Sequence, residues 1–238
     1  SLTGRSPSET IYAPYAKVFT RGIPTVKIAV LDTGVNLTHR ELKGKIVQGA
    51  DFVNLDGLDT SGFVGDFKDY DDVPEDEVGH GTHVSGIIAG KGIEIDEGVA
   101  PGCSLMAVRV LATMKSGDRL VGAGIIDNIN TGIKWAVDNG ADVINMSLGG
   151  SILSPLEAAA IDYAIGKGVI VVASAGNEGE AGMGYPGAYA PVISVGSVGW
   201  THEWEDGGGW WRLDVEEPVD PTDTSYIYVS DFSSRAKG

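Results

Sequence analysis

The chain has 238 residues, 42% of them hydrophobic, and 35 glycines spread without a period, which suits a single turn-rich α/β core. Its formal net charge of −16 excludes a basic face for nucleic acid. No apolar run approaches the ~18 residues of a membrane span, the amino end lacks a signal-peptide pattern, and the lone Cys103 can form no internal disulfide that would mark a compartment.

Residues 1–25 are polar and carry Pro7, Pro14 and Pro24, so they read as an N-terminal arm with one short helix around Tyr12 to Phe19. Val26 to Leu31 is nearly all apolar, as in a strand buried on both faces, and it stops at Asp32-Thr33-Gly34. An acid at the carboxyl end of a central parallel strand is where open α/β sheets place their chemistry. Further strands are predicted at Lys45 to Phe52, Leu105 to Val110, Asp142 to Met146, Val169 to Ala173 and Val192 to Val198. Cys103 opens one of these runs and reads as a buried, inert thiol.

Helices are expected between them. Val121, Ile125, Ile129 and Ile133 step by four into one that stops at Gly140, and Ser154-Pro155-Leu156-Glu157 is a capping box opening another that ends at Gly168. Strands alternating with helices predict an α/β fold with a mostly parallel central sheet. Two acidic stretches interrupt the order. Residues 56–77 read as a solvated loop whose carboxylates would also suit calcium. Residues 199–230 hold Trp200, Trp204, Trp210 and Trp211 and read as a hairpin-like insertion pinned by its own aromatics.

The chemistry gathers around Gly79-His80-Gly81-Thr82-His83-Val84-Ser85-Gly86. A ring in the first turn of a helix meets the positive end of the macrodipole, which favours a neutral imidazole able to accept a proton. The pair lacks the glutamate of His-Glu-x-x-His and a third ligand, so zinc is set aside. Asp32-Thr33-Gly34 alone also fits an aspartic protease, but that chemistry needs two such motifs in a β-rich chain. Gly122-Ala123-Gly124 lacks the rest of a nucleotide-binding fingerprint. The run Val171 to Gly179 reads as a strand and turn that leave the Asn177 amide exposed, a neutral donor suited to an oxyanion. Asn145-Met146-Ser147-Leu148-Gly149-Gly150 ends another strand with backbone open to an added peptide strand.

These motifs, with Gly98-Val99-Ala100-Pro101, stand in the order found in subtilisin-like serine proteases, and the chain resembles that family over about residues 26–198 and Asp231 to Arg235. The resemblance implies a three-layer fold with helices on both faces of the sheet. It implies Asp32 as triad acid, His80 as general base and Asn177 as oxyanion donor, with His83 structural and hydrogen-bonded near the sheet. Ser147, Leu148 and Gly149 would line one side of the specificity cleft, Ser174, Ala175 and Gly176 the other. Gly184 would floor the first pocket, with Glu178 at its rim and Tyr185-Pro186 a candidate cis bond.

The family's Gly-Thr-Ser-Met-Ala motif is expected after Phe232 to Arg235 and is not in this sequence. Residues 26–238 are therefore expected to form an incomplete catalytic domain, with the nucleophile on a C-terminal segment or second chain. The implied function is a serine endopeptidase acting on polypeptides, with a propeptide as a further partner and secretion as the usual location. The alternatives are an inactive binding scaffold and an intracellular enzyme. No cofactor is implied for the chemistry. Calcium is implied as a structural ion, with Glu41 where many members keep an aspartate ligand, although the loop Lys91 to Glu97 looks shorter than the family's calcium loop.

Overall fold

The computed structural model describes residues 7–68, 70–200 and 227–236. Two short helices, α1 (Pro7–Thr10) and α2 (Ala13–Phe19), precede β1 (Lys27–Asp32), β2 (Ile46–Asp51) and the two-residue β3 (Phe63–Val64). Then come α3 (His80–Ala89), β4 (Ser104–Arg109), the hairpin β5 (Ala112–Ser116) and β6 (Arg119–Ala123), and α4 (Ile126–Asp138). The chain continues through β7 (Val143–Met146), α5 (Pro155–Gly166), β8 (Ile170–Ser174), β9 (Ile193–Val195), β10 (Val198–Trp200) and β11 (Ile227–Val229).

The main sheet has the order β2-β4-β1-β7-β8-β9, and every neighbouring pair in it is parallel. The alternation of side chains along β1 explains its near-continuous apolar run. Ala29 and Leu31 join a core with Ile129, Ile133 and Ala136 of α4 and Ile161 and Ala164 of α5. Ile28 and Val30 point the other way, into a core with Ala89 of α3. Helices thus cover both faces, and the sheet is the middle of three layers. Leu31, Met106, Val108, Ile133 and Ile144 are fully buried, so truncating any one to alanine would cost on the order of 2–5 kcal/mol for the larger side chains.

Capping follows the sequence at two helices. Ser154 Oγ accepts the Glu157 N–H at 3.0 Å at the start of α5, and Gly140 after α4 and Gly168 after α5 take φ of 81° and 84°. One element differs. The helix expected from Val121 begins at Ile126, because Val121 pairs with Met114 in the β5–β6 hairpin. The step of four from Val121 to Ile125 therefore spans a strand and a helix cap. The signal that separates them is the turn Ser116-Gly117-Asp118, where Gly117 has φ 59°.

The arm residues are tied to the domain by Gly102 N–H donating to Arg21 O at 2.7 Å and Lys17 Nζ to Glu97 O at 3.0 Å. Cys103 is buried. The Trp-rich stretch falls mostly on residues 201–226, which lie outside the described residues. Its flanks, β10 and β11, pair antiparallel with Gly199 opposite Tyr228.

Candidate active site

Parallel strands bring their carboxyl ends to one edge. β1 ends there in Asp32, β7 in Met146 just before Ser147, and β8 in Ser174 just before the turn to Asn177. Because β1, β7 and β8 are neighbours, the turn after β8 lies about 10 Å from the end of β1 along the sheet. The fold alone gathers residues separated by 145 positions in the chain.

The helix α3 sits on this edge through small residues. A Cβ on Gly81 would lie 2.1 Å from Gly34 O and 3.1 Å from Asp32 Cβ, so only glycine lets the helix start approach β1 this closely. The contact face continues through Ser85, Gly86 and Ala89, all buried. His83 lies two residues, about 200°, around the helix from Gly81 and is exposed. The expected hydrogen bond of His83 near the sheet is therefore not made among the described residues, because that face belongs to the small residues.

His80 opens α3, and its Nδ1–H donates to Asp32 Oδ1 at 2.6 Å. Asp32 is fully buried and also accepts the Thr33 N–H at 2.7 Å, while the His80 side chain is 47% exposed. A carboxylate only accepts, so the proton sits on Nδ1 and Nε2 keeps a lone pair. The hydrogen bond to Asp32 raises the His80 pKa, burial opposes it, and the charges of Asp32 and Asp76 add to the rise. This corrects the expectation that the helix dipole would favour the neutral ring. A carboxylate in direct contact outweighs a dipole that other groups already satisfy.

The principal such group is Asp76. Its Oδ1 accepts from Val78 N–H at 2.9 Å, Gly79 N–H at 2.8 Å and the Thr33 hydroxyl at 2.9 Å. Its Oδ2 accepts from the Thr82 N–H at 2.9 Å and the Thr82 hydroxyl at 2.6 Å. Burial pushes the Asp76 pKa up, but these donors, led by the Thr82 hydroxyl, outweigh it and lower the value. Asp76 thus caps α3 and ties it to the residue after Asp32. The acidic stretch expected as a solvated loop turns inward here. Beside it, Glu77 Oε2 accepts from the Thr113 hydroxyl at 3.0 Å and pairs with the fully buried Arg109, which also pairs with Asp51. A carboxylate four residues before a helix histidine was the available signal.

A cleft of about 860 Å³ opens beside His80. It is lined by β6, which is an edge strand of the sheet β3-β5-β6, and by Ser147, Leu148 and Gly149. A Cβ on Gly122 of β6 would meet Thr33 Cγ2 at 2.5 Å, so this glycine draws the hairpin against the end of β1. Ser174, Ala175, Gly176 and Gly184 form an adjoining group outside that lining. Ser174 Oγ donates to Leu148 O at 3.3 Å, Gly184 N–H donates to Ala175 O at 3.0 Å, and Tyr185–Pro186 is cis.

Asn177 is exposed on the turn after β8. The turn is held from within and from far along the chain. Glu178 Oε2 accepts the Asn177 N–H at 2.8 Å and the Ser234 hydroxyl at 2.8 Å, and Ser234 Oγ accepts the Glu178 N–H at 3.0 Å. The Glu178 carboxylate is therefore engaged in the turn. Ser234 N–H donates to Gly176 O at 3.0 Å and Arg235 N–H to Gly179 O at 3.1 Å.

Glu41 is buried, but its surroundings do not fit calcium. Gly92 N–H donates to Oε2 at 2.8 Å, while Ile93, Glu94 and Ile95 donate to Oε1 at 2.8, 2.5 and 3.4 Å. Four N–H groups stand where a cation would need oxygen donors. The Glu94 N–H is the main cause of a lowered Glu41 pKa, which burial opposes. Among the described residues no three His, Cys, Asp or Glu side chains gather in a way that could hold a metal ion.

A buried carboxylate thus orients a half-exposed imidazole at the carboxyl edge of a parallel sheet with helices on both faces. Residues 24–237 match the model of the subtilase family, and the chain belongs to that family of subtilisin-like serine proteases. It is 40% identical over 195 residues to the thermophilic serine proteinase of Bacillus sp. (strain AK1), covering 80% of this chain and 42% of that protein. It is 41% identical over 182 residues to the major intracellular serine protease of Bacillus subtilis (strain 168), covering 73% of this chain and 51% of that one. Among solved structures, sphericase superposes with a TM-score of 0.66 at 33% identity, over 90% of this chain and 60% of its own. The chain spans about half the length of the curated relatives it matches.

Proposed function

We propose that this chain supplies the acid, the base and one oxyanion donor of a serine endopeptidase. The observation that carries the reading is the 2.6 Å bond from His80 Nδ1 to the buried Asp32, beside a cleft bounded by an edge strand. Asp32 holds the ring in one tautomer and stabilises the imidazolium. Nε2 takes the proton of a serine hydroxyl as that oxygen adds to the scissile carbonyl, then returns it to the leaving amine. Asn177 donates to the oxyanion. The peptide adds as a strand to β6, with Ser147 to Gly149 as the opposite wall.

The serine is supplied by a segment outside this sequence, in the same protein or in a second chain. It enters beside Asn177, where Ser234 and Arg235 are already bonded to the turn. Of the serines present, Ser85 is buried within α3, Ser147 lines the cleft, and Ser174 lies beside it with its hydroxyl bonded to Leu148 O. A calcium ion is not assigned to Glu41. Export remains the proposed location; the relative named as intracellular keeps the other in view. No helix among the described residues is long and apolar enough to cross a membrane.

The test is covalent labelling with a fluorophosphonate, read by mass spectrometry. The 238-residue chain alone should stay unlabelled. The longer protein carrying the following residues should label and cleave peptides, and its His80→Ala variant should lose most of both. A folded longer protein that neither labels nor cleaves favours the inactive binding scaffold.

A further inference from the structure

Glu157 is only 3% exposed, yet it lines the same cleft as His80. Its place in the third position past the Ser154 cap explains its backbone, since its N–H donates to Ser154 Oγ. Its carboxylate closes the capping box on the Ser154 backbone N–H, and it stands at the wall of a cleft whose lining also includes Leu111, Val121, Ile126, Ile129 and Leu148. No lysine, arginine or histidine among the described residues forms an ion pair with it. Burial pushes its pKa up, opposed only by the Ser154 backbone N–H. Among the described residues this acid has no positive partner.

We infer that Glu157 selects a lysine or arginine side chain of the substrate, whose stem lies along the apolar walls and whose charged end meets the carboxylate. This rests on the peptide-cleaving reading above. The chemistry suits such a chain because lysine and arginine bury apolar stems while keeping one polar end. The carboxylate has already lost most of its water on folding, so pairing requires little further desolvation on its side. An incoming cation favours the ionised acid, which burial alone disfavours. The net charge of −16 draws cationic peptides toward the cleft as well. Arg119 also lines the cleft, but it is exposed, and water screens its charge far more than that of Glu157.

The test uses the longer, peptide-cleaving protein and peptides that carry lysine, norleucine or glutamate at each position within about five residues of the scissile bond. At one position lysine should exceed norleucine in kcat/KM by about tenfold, with glutamate poorest, and Glu157→Gln should bring the lysine to norleucine ratio near one. Glu157→Leu should invert it. A wild-type protein that shows no position favouring lysine overturns the inference without any variant, as does a ratio unchanged in a folded Glu157→Gln. If the longer protein cleaves nothing, fluorescence anisotropy with labelled lysine and norleucine peptides on the 238-residue chain decides separately. Lysine-selective binding abolished in Glu157→Gln then upholds the role of Glu157, and equal binding of both peptides overturns it.

Discussion

The two halves of the candidate site are built differently. The acid–base half is densely cross-linked: Asp32, Thr33, Asp76, His80, Gly81 and Thr82 are joined by hydrogen bonds of 2.6 to 3.0 Å that bind α3 to the end of β1. The oxyanion half leaves the Asn177 side chain exposed and depends on Ser234, 56 residues beyond Glu178, to hold its turn. One half is held by many bonds between α3, its preceding loop and β1; the other is held by the few bonds that the 230–235 segment makes to its turn. Local wiring should make the base tolerant of changes elsewhere, whereas the oxyanion donor should respond to anything that loosens the 230–235 segment.

The largest separation of the two halves should come from Asn177→Ala in the longer, active protein. It should lower kcat by roughly 10²–10³-fold with little change in KM, the size known for such a donor in a subtilisin. The pH dependence set by His80 should not move. Since the neutral ring is the base and its pKa is raised, the acid limb of kcat/KM should lie above the ordinary histidine value of 6.5 in both proteins. Steady-state kinetics across pH would check both statements. A limb that shifts with Asn177 would mean that the two halves are coupled.

Next in size is Asp76→Ala, aimed at the local wiring. It removes the cap of α3 and should cost about 1–2 kcal/mol of stability, a fall of roughly 2–8 °C in Tm, with about a tenfold loss in kcat/KM from a displaced ring. A purely structural cap would leave the pH profile alone. Here the Asp76 charge is one cause of the raised His80 pKa, so the acid limb should move down in the variant. The stability difference has its own sign. The folded Asp76 pKa is lowered, so its contribution is present above the ordinary 3.8 and lost as pH falls through the lowered value. Melting of both proteins from neutral pH down into that range should show the two curves converging.

The sheet was legible where local chemistry and fold agree. The apolar run Val26 to Leu31 could be read because both faces of β1 are buried, and the Ser154 cap because its hydrogen bond is local. Val121 misled because a spacing of four does not reveal that a turn at Gly117 has already folded the chain into a hairpin. Asp76 and Glu77 were hidden for another reason. An acidic run looks solvated until the fold places a helix N-terminus and the buried Arg109 beside it. Glu41 looked like a metal ligand only through the resemblance, and the backbone N–H groups that occupy its carboxylate leave no mark in a sequence.

The smallest effect is expected from Ser234→Ala, and it tests the comparison most directly. The hydroxyl is nearly buried and serves Glu178 twice, accepting its N–H at 3.0 Å and donating to Oε2 at 2.8 Å. Its loss leaves the backbone bonds from Ser234 and Arg235 to the turn, so the segment should stay docked but less firmly. About 1 kcal/mol of stability, or roughly 2–4 °C in Tm, should go with it. Because only the oxyanion half is loosened, kcat should drop a few-fold while KM and the His80 acid limb stay put. A double variant with Asn177→Ala should then show no further loss in kcat, since the turn would have no donor left to misplace. Full additivity of the two losses would mean that Ser234 acts on the site by a route other than Asn177.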